Sequence, residues 1–340
     1  MPKLVAAVLL NLNRWGDTIT CLESVLRSEL SVRWIVVCDN GSTDGSLERI
    51  RDWAAGRVSP VYDRGPGRDL AWPPAAKPIP CRGPGSGAGA ACSLQELVLI
   101  DNLANLGFAA GSNVGIRWAL GAGCDFVWLL NNDTVVAPRT LSALIAGAER
   151  DSRAGAVGSV QLDYSRPGRV QMVGGRVFPA LGSSRKLGKG MAATEAAACR
   201  VRDLEFVSGC SVLLGCAALR DVGLLDESYF VYWEDADWCV RARRSGYRVL
   251  CAPDSQIWHR EGASSGLRSA TQYALDMEGA LLFVSRHYPL RLPLAVVLKP
   301  MVNVYSALKN GASPVAAVAG SWLGFCRLAA RRKWRSAARR

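Results

Sequence analysis

Four short runs of apolar residues in the first 130 positions constrain the fold more than any other feature of this chain. They are rich in β-branched residues and do not alternate with polar ones, which is typical of strands buried on both faces of a parallel sheet. The runs occupy residues 4–10, 34–38, 97–100 and 126–130. Helical patterns separate them at residues 17–26, where Asp17 is the predicted N-cap, and at 46–53 and 109–120. This order predicts a doubly wound α/β domain.

The chain changes character at two places beyond this pattern. Residues 59–93 contain seven prolines and many glycines, so we expect an inserted surface loop with neither a helix nor an inner strand. After Asp133 the pattern becomes mixed α+β, with helices predicted at 139–150 and 234–245 and strands at 154–162, 206–214 and 247–251. We therefore predict two halves, residues 1–135 and 136–278, followed by a C-terminal extension over residues 279–340.

The net charge of +12 is concentrated in that C-terminal extension. Residues 279–340 hold eleven of the 41 basic side chains and no acidic one, so the rest of the chain has 30 basic against 29 acidic groups. A nucleic-acid-binding protein, the alternative that is not an enzyme, should spread its basic charge over the folded body, so we expect no nucleic acid partner. The eleven scattered cysteines contain no CxxC pair, which argues against a zinc site and indicates a reducing compartment. Four of them lie in apolar runs and are predicted to be buried: Cys38, Cys210, Cys216 and Cys251.

Polar residues directly follow each apolar run. Residues 11–14, 39–44, 101–102 and 131–133 all contain Asn or Asp. One such strand end is ordinary turn chemistry, but the carboxyl ends of parallel strands meet at one edge of a sheet, where α/β proteins bind ligands. Asp39 can accept a hydrogen bond from a base or a ribose hydroxyl. Asp133, flanked by the amides of Asn131 and Asn132, suits a hard divalent cation whose other ligands are diphosphate oxygens and water, although a capped turn also explains the run.

Three carboxylates stand together at Glu234, Asp235 and Asp237, at the start of a predicted helix. Acidic residues in a first turn favour the positive end of the helix dipole, so a structural role alone can explain them. A carboxylate at this place can instead serve as a general base toward a hydroxyl group. Asp237 is predicted to form a structural pair with Arg241, one turn later. His287, one of only two histidines, has no partner motif and is assigned no function.

Five motifs occur in a fixed order: VLLNLNR at 8–14, VVCDNGSTDGS at 36–46, NLGFAAGSN at 105–113, LLNND at 129–133 and YWEDAD at 232–237. Through them the chain resembles the inverting glycosyltransferases of family 2, which have the GT-A type of Rossmann-like fold. The subgroup that it resembles most contains bacterial rhamnosyl- and galactofuranosyltransferases of cell-surface polysaccharides. The match runs from about residue 4 to residue 266 and leaves out the 59–93 insert.

The resemblance implies a set of donor-binding residues. Asp39 would contact the nucleotide base, while Asn11 and Asn113 would line the nucleoside pocket. The other residues expected at the nucleotide sugar lie in the same motifs and are Asn13, Asn105, Gly107, Asn131 and Asn132. The donor would be a UDP- or dTDP-sugar.

The resemblance also implies a metal site and a catalytic pair. Asp133 would hold Mg²⁺ or Mn²⁺ on the donor diphosphate, and His259 in IWHREG at 257–262 would complete the site. The family's metal motif often has two carboxylates, D-x-D, whereas Asn131 replaces the first here. This change would weaken metal affinity, although asparagine at this place is also familiar within the family. Asp235 would be the general base, and Glu234 would help to position the acceptor.

These observations predict a metal-dependent inverting glycosyltransferase that acts on a hydroxyl of a glycan or polyprenyl-linked glycan in cell-surface polysaccharide synthesis. The first half would bind the donor, and the second half would bind the acceptor and carry the catalytic residues. A sugar nucleotidyltransferase is the alternative enzyme class. It would have a glycine- and arginine-rich loop after the first strand, but residues 11–15 contain no glycine.

The C-terminal extension is expected to lie on a membrane surface. Residues 310–326 are 17 residues without a charge, too short and too polar for a span that takes about 20 apolar residues. The basic tail beside them indicates binding to an anionic cytoplasmic leaflet, whereas a solvated tail is the simpler interpretation. The N-terminus reads as a strand rather than an export signal, so we predict a cytoplasmic protein that is peripheral on the inner face of the plasma membrane.

Overall fold

Strands and helices alternate along the first half of the chain, and three long helices end it. The computed structural model describes residues 3–62, 65–83, 95–197, 203–260 and 268–337, with side chains up to residue 330. The strands are β1 (Val5–Asn11), β2 (Trp34–Asp39), β3 (Cys81–Arg82), β4 (Glu96–Asp101), β5 (Phe126–Asn131), β6 (Thr134–Val136), β7 (Ala154–Asp163), β8 (Val170–Met172), β9 (Gly174–Phe178), β10 (Ser183–Leu187), β11 (Ser211–Gly215) and β12 (Arg248–His259). The helices are α1 (Trp15–Leu26), α2 (Ser46–Ala54), α3 (Pro66–Ala71), α4 (Gly107–Gly121), α5 (Thr140–Glu149), α6 (Ala193–Ala197), α7 (Cys216–Val222), α8 (Glu234–Arg244), α9 (Ala270–His287), α10 (Leu292–Lys309) and α11 (Pro314–Ala337).

The first half contains the parallel sheet that the apolar runs predict. Strands β4, β2, β1 and β5 are neighbours in that order, and each pair is parallel. Helices α1 and α2 cover one face of the sheet, and α4 covers the other. The register pairs Asn11 with Asp39 and Asp39 with Asp101, which aligns the polar strand ends at one edge. The predicted cap is wrong: Arg14 is the N-cap of α1, and Asp17 pairs with it at 3.0 Å from within the first turn.

The described part of the proline-rich insert contains a helix that its composition does not predict. We expected no helix in residues 59–93, but α3 begins at Pro66. Proline is compatible with the first turn of a helix, because the N–H that it lacks has no intrahelical partner there. Strand β3 lies at the outer edge of the sheet beside β4, so the described part of the insert contributes no inner strand. Residues 63–64 and 84–93 of the insert lie outside the described residues.

The second half continues the same sheet with mixed strand directions. Strand β11 is antiparallel to β5 and β7, whereas β12 is parallel to β7 and antiparallel to β6. The strand expected at 206–214 begins only at Ser211, because the preceding residues form an isolated bridge and a turn. The strand expected at 247–251 is longer than predicted: β12 continues past an irregularity at 252–256 to His259. This extension pairs His259 with Thr134, next to Asp133.

Three long helices end the described chain. Helix α9 starts with a capping box formed by Ser269 and Gln272, and it runs across the expected boundary between residues 278 and 279. Helix α11 packs so closely on α9 that a Cβ atom at Gly320 or Gly324 would overlap backbone oxygens of α9. Among the described residues, no helix has both the length and the apolar character needed to cross a bilayer.

The cysteines of the described chain are free thiols, as their apolar surroundings predict. Nine lie in the described residues, and seven of these are buried. Burial raises the pKa of Cys21 and of Cys38 to about 12, so neither forms a thiolate near neutral pH.

Candidate active site

The ends of β1 and β2 form a closed hydrogen-bond network. Asn11 Nδ2 donates to Asp39 Oδ2 at 2.6 Å, and Ser42 Oγ donates to the same oxygen at 2.7 Å. The backbone N–H of Ser42 donates to Asp39 Oδ1 at 2.7 Å. Asn11 and Asp39 are both buried. Since a carboxylate oxygen has two lone pairs, Oδ1 of Asp39 keeps one for a ligand.

Asn13 and Asn132 border this network. Asn13 has a left-handed φ of 52°, which asparagine tolerates, and its Oδ1 accepts the N–H of Thr43 at 2.8 Å. Asn132 Nδ2 donates to Asn11 Oδ1 at 3.3 Å. The structure therefore brings these two predicted donor-binding residues together with Asn11 and Asp39.

The start of α4 is tied to the same edge by Asn40, a residue that the sequence prediction missed although it directly follows Asp39. Asn40 Nδ2 donates to Asn105 Oδ1 and to the carbonyl of Gly107, both at 3.1 Å. Gly107 has a φ of 81°, and a Cβ atom there would overlap the carbonyl oxygen of Phe230. The next residue donates its N–H to that carbonyl at 2.6 Å. Glycine thus allows the segment before α8 to lie against the start of α4.

Asn113 lies apart from this group. It is fully buried in α4, where its Nδ2 donates to the carbonyl of Leu225 at 2.8 Å and to Glu227 Oε1 at 3.0 Å. Its Oδ1 accepts the N–H of Leu225 at 3.2 Å. These bonds connect Asn113 to the loop after α7. Its expected place in the nucleoside pocket stays a prediction.

Asp133 and His259 face each other at the same edge. His259 Nε2 lies 3.4 Å from Asp133 Oδ1, which is buried and has no hydrogen-bond partner among the described residues. His259 Nδ1 lies 3.2 Å from Gln171 Oε1, a contact that orients the ring. The Glu261 and Gly262 that complete this motif lie outside the described residues.

This pair fits a divalent cation that substrate also holds. No group of three or more His, Cys, Asp or Glu side chains that could enclose a metal occurs in the part of the chain that the structure describes. Cations of the Mg²⁺ type commonly take one or two carboxylates from protein and the rest from substrate phosphates and water, so the buried Oδ1 of Asp133, with only His259 of the described residues beside it at 3.4 Å, suits one. Burial opposes protonation of His259, but Cys210 and Asp133 outweigh it and raise its pKa well above 6.5. A metal would therefore compete with a proton on this imidazole.

Glu234 and Asp235 begin α8 side by side, next to an apolar cavity. The N–H of Gly209 donates to Asp235 Oδ2 at 3.1 Å, and the N–H of Ala236 donates to its Oδ1 at 2.7 Å. Glu234 is buried, and its Oε2 has no hydrogen-bond partner among the residues that the structure describes. The cavity is lined in part by Phe108, Val207, Leu225 and Trp238.

Burial governs the charge of this pair. Burial, and next the carboxylate of Asp235, raise the pKa of Glu234 to about 8. Burial also raises the pKa of Asp235, but backbone N–H groups favour its ionised form. The two carboxyl groups therefore share one proton near neutral pH, and Glu234, whose Oε2 has no hydrogen-bond partner in the described chain, is the better place for it.

Two left-handed residues hold this pair in place. Tyr232 and Trp233, with φ of 70° and 73°, directly precede Glu234, and such a conformation costs a residue with a side chain about 1–2 kcal/mol. Trp233 Nε1 donates to Asp276 Oδ1 at 3.0 Å. Lys299 Nζ donates to Asp276 Oδ2 at 2.7 Å. The sequence prediction missed Asp276 and Lys299 because both lie within long helices and outside the five motifs.

Asp237 has the structural role that its spacing predicts. Arg241 Nε donates to Asp237 Oδ2 at 2.8 Å, which confirms the expected pair. His287, assigned no function from the sequence, lies with Nε2 at 2.7 Å from Asp237 Oδ1. Burial opposes ionisation of Asp237, but the hydrogen bond with His287 and the charge of Arg241 outweigh it and hold the pKa below its ordinary value.

Two consecutive residues connect the carboxylate pair with the Asp133 turn. Gly209 donates its N–H to Asp235, and the carbonyl of Cys210 accepts the N–H of Asn131 at 2.9 Å. Consecutive Cα atoms are only about 3.8 Å apart. Asp235 and the turn that carries Asp133 therefore contact adjacent residues of one short segment.

Known sequences resemble this chain over most of its length. The profile of the family described as glycosyltransferase like family 2 matches residues 86–273, more than half of the 340 residues. The chain is 27% identical over 293 residues to N-acetylglucosaminyl-diphospho-decaprenol L-rhamnosyltransferase of Mycobacterium tuberculosis. The aligned region covers 81% of this chain and 85% of the relative.

Solved structures share the fold. Mannosyltransferase PcManGT from Pyrobaculum calidifontis, in complex with GDP-Man and Mn²⁺, matches 98% of this chain and 83% of its own with a TM-score of 0.53 and 16% identity. GalNAc-T7 with UDP, GalNAc and Mn²⁺ matches 83% of this chain and 48% of its own with a TM-score of 0.56 and 13% identity. These likenesses confirm the expected GT-A fold.

Proposed function

The chain belongs to glycosyltransferase like family 2 and is a glycosyltransferase of the GT-A fold, and from this premise we propose a metal-dependent, inverting reaction. A sugar, rhamnose or another hexose, passes from a UDP- or dTDP-sugar to a hydroxyl of a glycan or polyprenyl-linked glycan in cell-surface polysaccharide synthesis. The relative from Mycobacterium tuberculosis is named as an L-rhamnosyltransferase for N-acetylglucosaminyl-diphospho-decaprenol, which supports this class of substrates.

The observation that carries the proposal is the segment Gly209–Cys210. It contacts Asp235 on one side and the turn with Asp133 on the other. An inverting transfer needs a base at the acceptor hydroxyl and a cation at the leaving diphosphate, on opposite sides of one sugar carbon. A single short segment that supports both groups fits this requirement.

Each carboxylate has a distinct role in the proposed reaction. Asp133 and His259 hold Mg²⁺ or Mn²⁺, which when bound neutralises charge on the diphosphate. Asp235, fixed by two backbone N–H groups, accepts the proton of the acceptor hydroxyl. Glu234, which keeps a proton near neutral pH, donates a hydrogen bond that positions the acceptor.

The donor is bound at the polar strand ends of residues 1–135. Asp39 contacts the nucleotide base, and Asn11 and Asn113 line the nucleoside pocket. The nucleotide sugar is further contacted by the remaining predicted donor residues: Asn13, Asn105, Gly107, Asn131 and Asn132. Residues 136–278 bind the acceptor, and residues 279–340 hold the protein on the anionic inner face of the plasma membrane.

A donor screen tests the proposal. The purified full chain is incubated with UDP-, dTDP- and GDP-sugars in Mg²⁺, Mn²⁺ or EDTA, and release of nucleoside diphosphate is measured. We expect release with UDP- or dTDP-sugars, dependence on the cation, and inversion of the anomeric configuration in the product by NMR. Full activity in EDTA, or a product that retains the donor configuration, would contradict the proposal.

A further inference from the structure

Helix α10 exposes a stripe of large apolar side chains. Of the 21 large hydrophobic residues exposed in the described chain, eleven lie between Leu290 and Phe325. Those on α10 recur every three or four residues, which puts them on one side of the helix, and they are Leu294, Val297, Met301, Tyr305 and Leu308. Its buried residues recur every four on the opposite side and are Ala295, Lys299, Asn303 and Ala307.

Helix α11 has the same construction. It exposes Val315, Val318, Trp322 and Phe325 at a spacing of three or four residues. On its other side Gly320 and Gly324 lie against α9. Asn303 of α10 donates to Ser321 Oγ of α11 at 3.0 Å in a buried contact, so the two helices form a hairpin. The nine exposed side chains named for α10 and α11 are called the α10–α11 apolar face below.

The geometry of α10 favours a position in the plane of a membrane. A helix of 18 residues is about 27 Å long, but its inner side carries Lys299, which is bound to Asp276 in the protein interior. The helix cannot cross a bilayer without exposing this ion pair to lipid. An apolar face opposite a protein-bound face is typical of a helix that lies in the interface.

The positive charge of the C-terminal region indicates that the α10–α11 apolar face contacts an anionic bilayer. Residues 279–340 contain eleven basic side chains and no acidic one. Arg291, Lys309 and Arg327 are exposed along the two helices. A second copy of this chain docked through the same face would bring like charges together, whereas anionic lipid attracts them. Tyr305 and Trp322 have the amphipathic rings that are enriched at membrane interfaces.

We infer that the α10–α11 apolar face inserts into the headgroup and upper acyl region of an anionic bilayer. The inference rests on the peripheral location in the proposed function and deepens it, because it assigns the attachment to named apolar side chains rather than to the basic tail alone. Purely electrostatic attachment is released by salt, whereas hydrophobic insertion is not.

Val297 and Val61 provide a matched pair for the test. Their side chains are 64% and 80% exposed, so a glutamate at either position adds the same charge without disturbing packing. The probe is a vesicle of phosphatidylglycerol and phosphatidylcholine, and binding of the full chain is measured by sedimentation. The measurement is made in about 1 M NaCl, where charge–charge interactions are screened beyond about 3 Å. We expect Val297→Glu to weaken vesicle binding at least about 10-fold and Val61→Glu to leave it unchanged.

Three outcomes would overturn the inference. The first is an equal loss of vesicle binding in both variants, and the second is complete release of the wild type from vesicles by salt. The third is a dimer of the wild type without lipid that Val297→Glu dissociates, because such a dimer would assign the face to a second copy of the chain. Circular dichroism verifies that each variant is folded. Donor hydrolysis in solution, which Val297→Glu should retain, separates the two proposals: a wild type that binds vesicles as expected but hydrolyses no donor refutes the proposed function alone.

Discussion

Glu234 is the residue at which stability and function should conflict most directly. Its carboxyl is buried, its Oε2 is unpaired within the described chain, and burial together with Asp235 raises its pKa from 4.5 to about 8. In the unfolded chain the carboxyl ionises near 4.5. Between these two pH values the unfolded state binds fewer protons than the folded state, so the free energy of unfolding falls as pH rises. The contribution is fully present below pH 4.5 and is lost by about pH 8.

Glu234→Gln keeps the size of the side chain and removes the titration. Each pKa unit corresponds to about 1.4 kcal/mol, so the change from 4.5 to about 8 removes about 4–5 kcal/mol of wild-type stability across this window. We therefore expect the variant to match the wild type near pH 5 and to be more stable by about 4–5 kcal/mol at about pH 9. Its acceptor KM should rise, because the proposed contact with the acceptor is altered.

Urea denaturation followed by tryptophan fluorescence at several pH values measures this difference. Asp237→Asn is the matched control on the same helix, because the pKa of Asp237 is lowered and its effect has the opposite sign. Ionised Asp237 stabilises the fold above its unfolded pKa, and this stability is lost as pH falls through its folded pKa. Asp237→Asn should thus be less stable than wild type at neutral pH and approach it in acid. A pH-independent gap between Glu234→Gln and wild type would refute the reasoning.

Three further substitutions test the site. Asp133→Ala should abolish transfer and weaken the binding of nucleoside diphosphate in Mn²⁺, measured by calorimetry, and Asn131→Ala should have smaller effects. If Asp133→Ala binds the nucleotide as the wild type does in Mn²⁺, Asp133 is not a metal ligand. Asp235→Asn should lower turnover by a factor of about 10² to 10⁴ and leave donor affinity unchanged, measured by steady-state kinetics and calorimetry. Normal turnover of this variant would show that another residue is the base. Gly107→Ala puts a Cβ atom at a residue with positive φ and against the carbonyl of Phe230. Thermal unfolding should therefore show a free energy of unfolding lower by at least about 1–3 kcal/mol, and unchanged stability would contradict the close approach.

The polar strand ends could be predicted from sequence because they follow from the geometry of a parallel sheet. Strands β1, β2 and β5 are buried on both faces and therefore appear as unbroken apolar runs. Their carboxyl ends meet at one edge, so residues that directly follow the runs are neighbours in space. Asn11 and Asp39 are hydrogen-bonded for this reason, although 28 positions separate them in the chain.

Other parts of the site depend on contacts that local patterns do not encode. The apolar run at 247–251 ends before an irregularity, and only the pairing of β12 with β7 and β6 carries the strand on to His259. Asn113 has the same residue type as the other donor candidates, but its place in the middle of α4 buries it against the loop after α7. Residue type and motif membership do not predict these contacts.

The placement of Glu234 and Asp235 depends on contacts with the helix that exposes the apolar face. Trp233 keeps its left-handed conformation while its indole N–H is bound to Asp276, and Asp276 is in turn paired with Lys299 on the inner side of α10. Arg268 Nη1 also lies 3.4 Å from Asp276 Oδ2, so it is the removal of Asp276 that would leave the buried charge of Lys299 uncompensated, at a cost of about 3–5 kcal/mol. Opposite sides of α10 thus serve two purposes: the inner side supports the start of α8, and the outer side presents the apolar face. If the α10–α11 apolar face lies in a membrane as proposed, an acceptor linked to a membrane lipid would meet Asp235 from a fixed direction, because α10 contacts Asp276 of α9 and Asp276 binds Trp233, the residue before Glu234.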